Sequence, residues 1–126
     1  MQKVSKRAVQ GTRIQLLFTN EGTARKLTEA IEDNLLRICE EAVTNAVKHA
    51  RPTQVEVNLE YMPEELRLRI RDDGCGFDQQ GLDHIKNGHL GLVGIRERTK
   101  TLGGKLSLRS QPGMGTEVLV SVPQGE

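Results

Sequence analysis

At residues 66–78 the sequence reads Leu-Arg-Leu-Arg-Ile-Arg-Asp-Asp-Gly-Cys-Gly-Phe-Asp. Its first half alternates aliphatic residues with arginines, and this period of two predicts a β-strand with one buried face. The alternation ends at Asp72, and Gly74 and Gly76 follow at a spacing of two. A carboxylate at a strand end beside a glycine-rich turn lies where a small ligand can approach the backbone closely. An ordinary Asp-Gly turn accounts for the same residues, so the choice between the two depends on the rest of the chain.

The composition predicts a soluble domain with an aliphatic core. The chain has 126 residues, and its 18 lysines and arginines against 17 aspartates and glutamates give a formal net charge of +1. This balance argues against a nucleic-acid partner and against direct membrane contact. Phe18, Tyr61 and Phe77 are too few to form a stacking platform for single-stranded nucleic acid. Cys39 and Cys75 lack the spacing of a metal site, and two such thiols indicate a reduced, cytoplasmic setting. This setting is compatible with a membrane-bound parent protein that carries the chain as its cytoplasmic portion.

The hydrophobic pattern predicts an α+β fold. In chain order the predicted elements are a flexible arm at 1–10, a strand at 12–18, a long helix at 28–49, strands at 54–60 and 66–71, a loop at 78–90, a short helix at 95–102, and strands at 106–110 and 116–122. Thr28 is the predicted N-cap of the long helix, and Gly103 with Gly104 is the predicted C-cap of the short one. This order predicts one domain over residues 1–126, a two-layer α/β sandwich whose helices pack on one face of a mixed, mostly antiparallel sheet.

The long helix carries a polar strip beside its apolar face. Glu41, Asn45 and Lys48 fall together along the border of that face, at the roughly 100° per residue of an α-helix. Asn45 continues the apolar spacing of Ile38 and Ala42, so an amide appears at the edge of the core. Because buried polar groups need partners, Asn45 either bonds neighbouring backbone or faces a ligand.

Two motifs combine groups suited to a nucleotide. Glu41-x-x-x-Asn45 puts a carboxylate and an amide one helical turn apart, so that one can handle a proton while the other helps to hold a cation. Asp72-x-Gly-x-Gly76 offers an acceptor for an exocyclic amine, with space beside it for a flat ring.

Two further glycine motifs complete the set. Gly91-x-x-Gly94 leads into the N-terminus of a helix, where anions such as phosphates bind readily. Gly113-x-Gly-Thr116 places the hydroxyl group of Thr116 at the start of a strand, from which it could reach the carboxylate of Asp72.

These motifs match, in order and separation, those of a known family. The matching segments are Glu41-Ala-Val-Thr-Asn45-Ala-Val-Lys-His49-Ala, Asp72-Asp-Gly-Cys-Gly76 and Gly91-Leu-Val-Gly94-Ile-Arg-Glu-Arg98. They resemble the boxes of the GHKL ATP-binding superfamily, which has the Bergerat fold and includes DNA gyrase, the ninety-kilodalton heat-shock chaperones, MutL and sensor histidine kinases. The resemblance is greatest to the catalytic domain of nitrate-sensor/DesK-type histidine kinases, and it extends over residues 12–123.

The resemblance implies a role for each motif. The domain would bind ATP with Mg²⁺ and donate the γ-phosphoryl group to a histidine on a separate dimerisation domain of the parent kinase, with a response regulator downstream. Asp72 would bind the adenine amino group, partly through a water shared with Thr116. Asn45 would be the Mg²⁺ ligand, Glu41 the general base, and Lys48 would approach phosphate. The other residues that the resemblance assigns to nucleotide binding are His49, Gly74, Gly76, Gly91, Leu92 and Gly94, with residues 79–90 as the ATP lid.

Simpler roles are compatible with the same residues. Glu41 and Lys48 could form a solvated helix face, and the glycines could serve turns alone. An anti-sigma-type serine kinase, or a non-catalytic nucleotide-gated binding module of the same superfamily, is the alternative function.

The histidines of the chain bear on the site of phosphorylation. His49, His84 and His89 precede Ala, Ile and Leu, whereas the resemblance implies an acidic residue after the phosphoacceptor. We therefore expect the isolated chain to bind ATP without phosphorylating itself.

Overall fold

The computed structural model of the chain describes residues 1–76 and 92–124. Its elements are helix α1 (Gln2–Val9), strand β1 (Gln15–Gly22), helix α2 (Glu29–Asn45), a π-helical turn (Ala46–Ala50), strands β2 (Gln54–Tyr61) and β3 (Glu65–Asp72), helix α3 (Val93–Thr101), and strands β4 (Lys105–Ser110) and β5 (Thr116–Pro123). The predicted loop at 78–90 lies outside the described residues. Among those described, no helix combines the length and apolar character that crossing a membrane would require.

The five strands form one sheet in the order β1-β2-β3-β5-β4. β1 pairs with β2 in parallel, as expected for two strands joined through a helix, and the other neighbours are antiparallel. β3 is therefore the central strand, and at its end Asp72 lies opposite Val55 of β2 and Thr116 of β5. The predicted α+β sandwich with a mixed, mostly antiparallel sheet is confirmed.

The core lies between the sheet and α2, and its side chains are aliphatic. The buried residues that form it include Leu35, Ile38, Cys39, Ala42 and Val43 of α2, Val55, Val57 and Leu59 of β2, Leu66, Leu68 and Ile70 of β3, Ile95 of α3, and Val118, Val120 and Val122 of β5. Burying one large aliphatic side chain contributes about 1.5–3 kcal/mol. The alternate residues of β3 are thus held in the core, as the opening stretch predicts, and this fixes the register of the strand.

The arginines of β3 alternate with the core residues and pair with glutamates. Arg69 and Arg71 each lie 3.4 Å from a carboxylate oxygen of Glu117 on β5, and Arg67 lies 3.2 Å from Glu65. Because partly exposed ion pairs contribute only about 0–1 kcal/mol each, the aliphatic layer supplies most of the stability.

The predicted N-cap of α2 is confirmed, but its predicted C-terminal end is not. The hydroxyl group of Thr28 accepts a hydrogen bond from the backbone N–H of Ile31 at 3.3 Å. The α-helical bonding stops at Asn45, and residues 46–50 form a π turn instead of the predicted last turn of α-helix. Arg51 then takes a left-handed conformation with φ of 49°. A π turn widens a helix by one residue per turn and is frequent at functional sites.

Residues 1–10 do not form the predicted flexible arm, because residues 2–9 form a helix against α2. Ser5 is fully buried, and its Oγ lies 3.1 Å from Sγ of Cys39. The inward face of α1 carries Val4, Ser5, Ala8 and Val9, which follow a helical spacing, while Lys3, Lys6 and Arg7 are exposed. The prediction of a flexible arm overlooked this short amphipathic period among the basic residues.

The first strand is displaced from its predicted range of 12–18. β1 pairs with β2 along its whole length, from Gln15 opposite Gln54 to Gly22 opposite Tyr61. The pairing extends the strand through Asn20 and Glu21 to Gly22, beyond its predicted end at residue 18. Tertiary pairing overrides the turn preference of these polar residues.

The C-terminal half follows its predicted turn chemistry. α3 begins two residues before its predicted start and ends in the predicted C-cap. Gly103 has φ of 67°, and its N–H donates to the carbonyl of Lys100 at 2.9 Å. The N–H of Gly104 donates to the carbonyl of Thr99 at 2.9 Å, which completes a Schellman motif.

Candidate nucleotide site

A pocket opens between the C-terminal end of α2 and the sheet. It has about 490 Å³ of empty space, part of which is open to solvent. The residues assigned from the sequence that line it come from four separate parts of the chain: Asn45, His49, Asp72, Leu92 and Thr116. The structure therefore brings residues from all four predicted motifs together at one place.

Asp72 lies in this pocket at the end of the central strand. Its side chain is largely buried, with the residue 7% exposed, and Oδ1 accepts a hydrogen bond from the N–H of Gly74 at 2.8 Å. Burial raises the pKa of Asp72, while hydrogen bonds from the backbone of Gly74 and Thr116 oppose that rise. The carboxylate is thus an acceptor held in a fixed orientation within largely apolar surroundings.

The apolar walls of the pocket were not predicted from the sequence. Ala46 and Ala50 come from the π turn, and Ile70, Val118 and Leu108 come from the sheet. Ile70 pairs with Val118, which pairs with Leu108, so the three form one row across β3, β5 and β4. Such a row offers a flat apolar surface. The period of two in each strand marks these residues as buried, but only the register shows that they are neighbours.

A polar row lies two residues along the same strands. Asp72 pairs with Thr116, which pairs with Ser110. The hydroxyl groups of Thr116 and Ser110 lie 2.9 Å apart. The predicted proximity of Thr116 to Asp72 thus agrees with the strand register, and Ser110 is an additional polar neighbour that the sequence motif did not indicate.

Asn45 lies between this pocket and a second, more open cleft. The cleft is lined by Glu41, Lys48, Arg37 and Arg98, among others, and Asn45 lines both. The side-chain nitrogen of Asn45 is buried and has no hydrogen-bond partner among the residues that the structure describes. An unpaired buried donor of this kind would suit a ligand that accepts hydrogen bonds, and a cation would be bound by the side-chain oxygen instead.

The donor chemistry fits Mg²⁺ bound together with a phosphate ligand. A carboxamide oxygen is a suitable ligand, and Mg²⁺ usually takes only one or two protein ligands beside water and phosphate oxygens. Within residues 1–76 and 92–124 no three His, Cys, Asp or Glu side chains form a metal cluster. Asn45, which lines both the pocket and the cleft, could offer its side-chain oxygen to such an ion.

Glu41 lies in the cleft against the first turn of α3. Its carboxylate packs against the backbone of Gly94, and a Cβ atom added to Gly94 would lie only 2.5 Å from Oε2 of Glu41. Burial raises the pKa of Glu41, and the positive charge of Arg98 opposes that rise. Arg98 also donates a hydrogen bond to Oδ1 of Asn34 at 3.3 Å, so it connects α3 to α2 beside Glu41. No sequence motif indicated this role for Arg98.

The two glycines after Asp72 allow close contacts between backbones. A Cβ atom on Gly74 would overlap the carbonyl oxygen of Ala50, and one on Gly76 would overlap that of Gln111. Gly76 also has φ of 66°, which disfavours other residues. These glycines pack the loop against the π turn and the last hairpin, beside the pocket. The assigned Gly91 and the predicted lid at 79–90 lie outside the described residues.

The model of one protein family matches residues 30–126. The family is described as "Histidine kinase-, DNA gyrase B-, and HSP90-like ATPase". This chain belongs to that family. The predicted superfamily is confirmed, and the chain is an ATP-binding domain.

Two of the relatives in sequence are named as histidine kinases. "Signal transduction histidine-protein kinase/phosphatase DegS" of Brevibacillus brevis is 35% identical over 123 residues, which are 98% of this chain and 31% of the relative. "Sensor histidine kinase LiaS" of Bacillus subtilis (strain 168) is 35% identical over 97 residues, 77% of this chain and 26% of the relative. The chain thus spans about a third or less of the length of these relatives.

Solved structures share the fold. The histidine kinase domain of the blue-light activated histidine kinase EL346 of Erythrobacter litoralis superposes with a TM-score of 0.78 at 24% identity, over 97% of this chain and 56% of that one. The histidine kinase AdeS of Acinetobacter baumannii gives a TM-score of 0.80 at 15% identity, over 99% of this chain and 63% of that one.

Proposed function

We propose that this domain binds ATP with Mg²⁺ in the pocket at Asp72 and donates the γ-phosphoryl group to a histidine on a separate dimerisation domain of its parent kinase. A response regulator would receive the phosphoryl group downstream, and the domain would act in the cytoplasm, where ATP is available. The observation that supports the proposal most is the convergence of Asn45, Asp72 and Thr116 on one pocket.

The pocket at Asp72 suits adenine. The carboxylate of Asp72 would accept a hydrogen bond from the exocyclic amine, while the row of Ile70, Val118 and Leu108 would face the flat ring. Guanine would instead present a carbonyl oxygen to the carboxylate. An unpaired or repelling buried polar group costs about 1–3 kcal/mol, so ATP should bind about tenfold or more tightly than GTP.

The cleft beside Asn45 suits the phosphates. Lys48 lies there with Arg37 and Arg98 beside the carboxylates of Glu40 and Glu41, so the cleft has a small excess of positive charge for a polyphosphate. Asn45 would hold Mg²⁺, which when bound neutralises charge on the phosphate oxygens. Positioning and charge stabilisation supply most of the catalysis in phosphoryl transfer, and these residues would provide both.

Glu41 would act on the acceptor. In the transfer a ring nitrogen of the acceptor histidine bonds to the γ-phosphorus, and the bond from that phosphorus to the β–γ bridging oxygen breaks, so that ADP leaves with the electron pair. The carboxylate of Glu41 would accept the proton of the other ring nitrogen. Its raised pKa makes it a better base than an exposed glutamate, provided that it is ionised.

Radiolabelled ATP tests this function. The domain alone should bind ATP, as measured by calorimetry with Mg²⁺, and should stay unlabelled, whereas addition of its histidine-bearing dimerisation domain should give acid-labile label on that domain. Acid-labile label on the isolated chain would contradict the proposal. Acid-stable label on a serine substrate would support the serine-kinase alternative, and binding without any transfer would support a nucleotide-gated binding module.

A further inference from the structure

Asp73 follows Asp72 directly, but its side chain bonds in another direction. Oδ1 of Asp73 accepts hydrogen bonds from the backbone N–H groups of Thr53 at 2.8 Å and Gln54 at 2.9 Å. Oδ2 accepts a third bond from the hydroxyl group of Thr53. Hydrogen bonds to an ionised acceptor are about twice as strong as neutral ones, so this is a firm connection between two loops.

The connection joins the two segments that form adjacent walls of the pocket. Thr53 and Gln54 follow the π turn that carries His49 and Ala50, while Asp73 begins the loop after Asp72. The backbone adds two contacts between the same segments. The N–H of Asp73 donates to the carbonyl of Gln54 at 3.3 Å, and the N–H of Cys75 donates to that of Ala50 at 2.9 Å.

We propose that Asp73 is a positioning residue for nucleotide binding: its side chain fixes the loop that orients the carboxylate of Asp72. The steps of this coupling are all contacts between neighbours. Asp73 anchors the backbone to residues 53 and 54, which determines the position of Gly74. The N–H of Gly74 in turn donates to Oδ1 of Asp72 at 2.8 Å and orients it. This inference rests on the proposed contact between Asp72 and the adenine amine.

The packing at Gly74 shows why the anchor matters. The backbone of Gly74 lies so close to Ala50 that no side chain fits between them. Without the side chain of Asp73, the loop keeps its backbone hydrogen bonds and the long contact from Cys75 Sγ to the carbonyl of His49 at 3.8 Å. Small outward movements of the loop then become possible. Such a movement would turn the hydrogen-bonded oxygen of Asp72.

The experiment measures the affinities of the whole domain for ATP and GTP by calorimetry, well below the melting temperature of each variant. Asp73→Ala should weaken ATP binding by about tenfold, with little change for GTP, because only adenine uses the orientation of Asp72. The ATP/GTP ratio should therefore fall. Asp73→Asn should keep most of the ATP/GTP affinity ratio, because its carboxamide oxygen can still accept hydrogen bonds from the backbone N–H groups of Thr53 and Gln54.

Further variants separate positioning from simple stabilisation. Thr53→Val removes the hydroxyl bond but keeps both backbone bonds, so its ratio should stay near that of the unchanged protein. Asp73→Glu keeps the charge but lengthens the side chain, so the ratio should fall even if Asp73→Ala does not fold. Folded Asp73→Ala and Asp73→Glu variants with lower melting temperatures but an unchanged ratio would overturn the inference. An unchanged ratio in Asp72→Asn would overturn the proposed adenine contact as well, so the two failures are distinguishable.

Discussion

The carboxylate of Glu41 occupies the space beside the backbone of Gly94: a Cβ atom added to Gly94 would stand 2.5 Å from Oε2 of Glu41 and 2.9 Å from Oε1. The glycine therefore lets the first turn of α3 approach the polar strip of α2. Any side chain at residue 94 requires the Glu41 carboxylate to move. Because that carboxylate is the free end of a flexible side chain, it can move without displacing the helix.

Gly94→Ala should reduce phosphoryl transfer while leaving the fold and ATP binding largely intact. The added methyl group would push the Glu41 carboxylate out of its position, and misplacement of a catalytic group by about 1 Å can lower a rate by about a hundredfold. The measurement is the rate of transfer to the histidine-bearing dimerisation domain, with ATP affinity and melting temperature determined on the same variant.

Gly74→Ala is the matched control for Gly94→Ala. Its methyl group would meet the backbone of Ala50, which cannot rotate away, so this variant should lose about 1–3 kcal/mol of stability, as overpacked sites do. If Gly94→Ala instead melts earlier and transfers at the normal rate, the contact with Glu41 serves packing alone.

The strands and helices differ in how closely the sequence predicts their bounds, and the differences have physical causes. β2 and β3 were placed to within about a residue because alternate residues such as Val57 and Leu68 are buried, which gives a strong period of two. β1 is an edge strand whose side chains are mostly half-buried or exposed, so its pattern is weak and its predicted range was shifted. α1 was missed although Val4, Ala8 and Val9 have helical spacing, because the segment is short and most of its residues are basic or polar.

The candidate site was predictable for its polar groups and not for its walls. Asp72 and Asn45 were apparent because a carboxylate and an amide interrupt apolar patterns. Ile70 and Val118 look like ordinary core residues in sequence, and their common row at the pocket depends on strand register. The anchor from Asp73 to Thr53 spans twenty residues of sequence, and no local pattern announces such a bond.

Asp72→Asn should weaken ATP binding and raise the stability of the ligand-free domain near neutral pH. Burial raises the pKa of Asp72 above its unfolded value, so its stabilising contribution is present below the unfolded pKa and is lost as pH rises through the folded pKa. The asparagine avoids the buried charge and can still accept the hydrogen bond from Gly74. Melting curves across pH measure this, and the gain in stability should shrink as the pH falls toward about 4.

Asp73→Asn should show the opposite sign and is the control for Asp72→Asn. The Thr53 hydroxyl group and the backbone N–H of Gln54 lower the pKa of Asp73, so its contribution is present above the unfolded pKa and is lost as pH falls through the folded one. The variant should therefore melt slightly earlier at neutral pH and equally at low pH. The same direction of change in both variants would contradict the opposite pKa shifts of these neighbours.

Variants of Asn45 and Glu41 should fail in different ways, because one residue is proposed to hold a cation and the other to accept a proton. Asn45→Ala should lower ATP affinity mainly when Mg²⁺ is present. Glu41→Gln keeps the shape of the side chain and should bind ATP almost normally, but its transfer rate should fall by roughly 10²–10⁴-fold, as for a lost general base. Calorimetry with and without Mg²⁺, and transfer kinetics, distinguish the two. Equal loss of Mg²⁺-dependent binding in both variants would refute the division of roles.

Arg98→Gln should move the acid limb of the pH–rate profile of transfer to higher pH. Glu41 can accept a proton only when it is ionised, and the positive charge of Arg98 opposes the rise that burial causes in its pKa. Without that charge, burial raises the pKa of Glu41 further. A larger fraction of Glu41 is then protonated, and therefore inactive as a base, at mildly acidic pH. Transfer rates at saturating ATP across a pH series measure the shift.

Two further variants identify the cause of this shift. Arg98→Lys keeps the positive charge and should return the acid limb most of the way toward its original position. Arg37 lines the same cleft but pairs with Asp33 at 3.5 Å. It is not among the charges that shift the pKa of Glu41, so Arg37→Gln should leave the acid limb unchanged. A limb that moves equally in Arg98→Gln and Arg37→Gln would show a general effect of cleft charge. A limb that moves in neither would exclude Glu41 as the group that titrates in transfer.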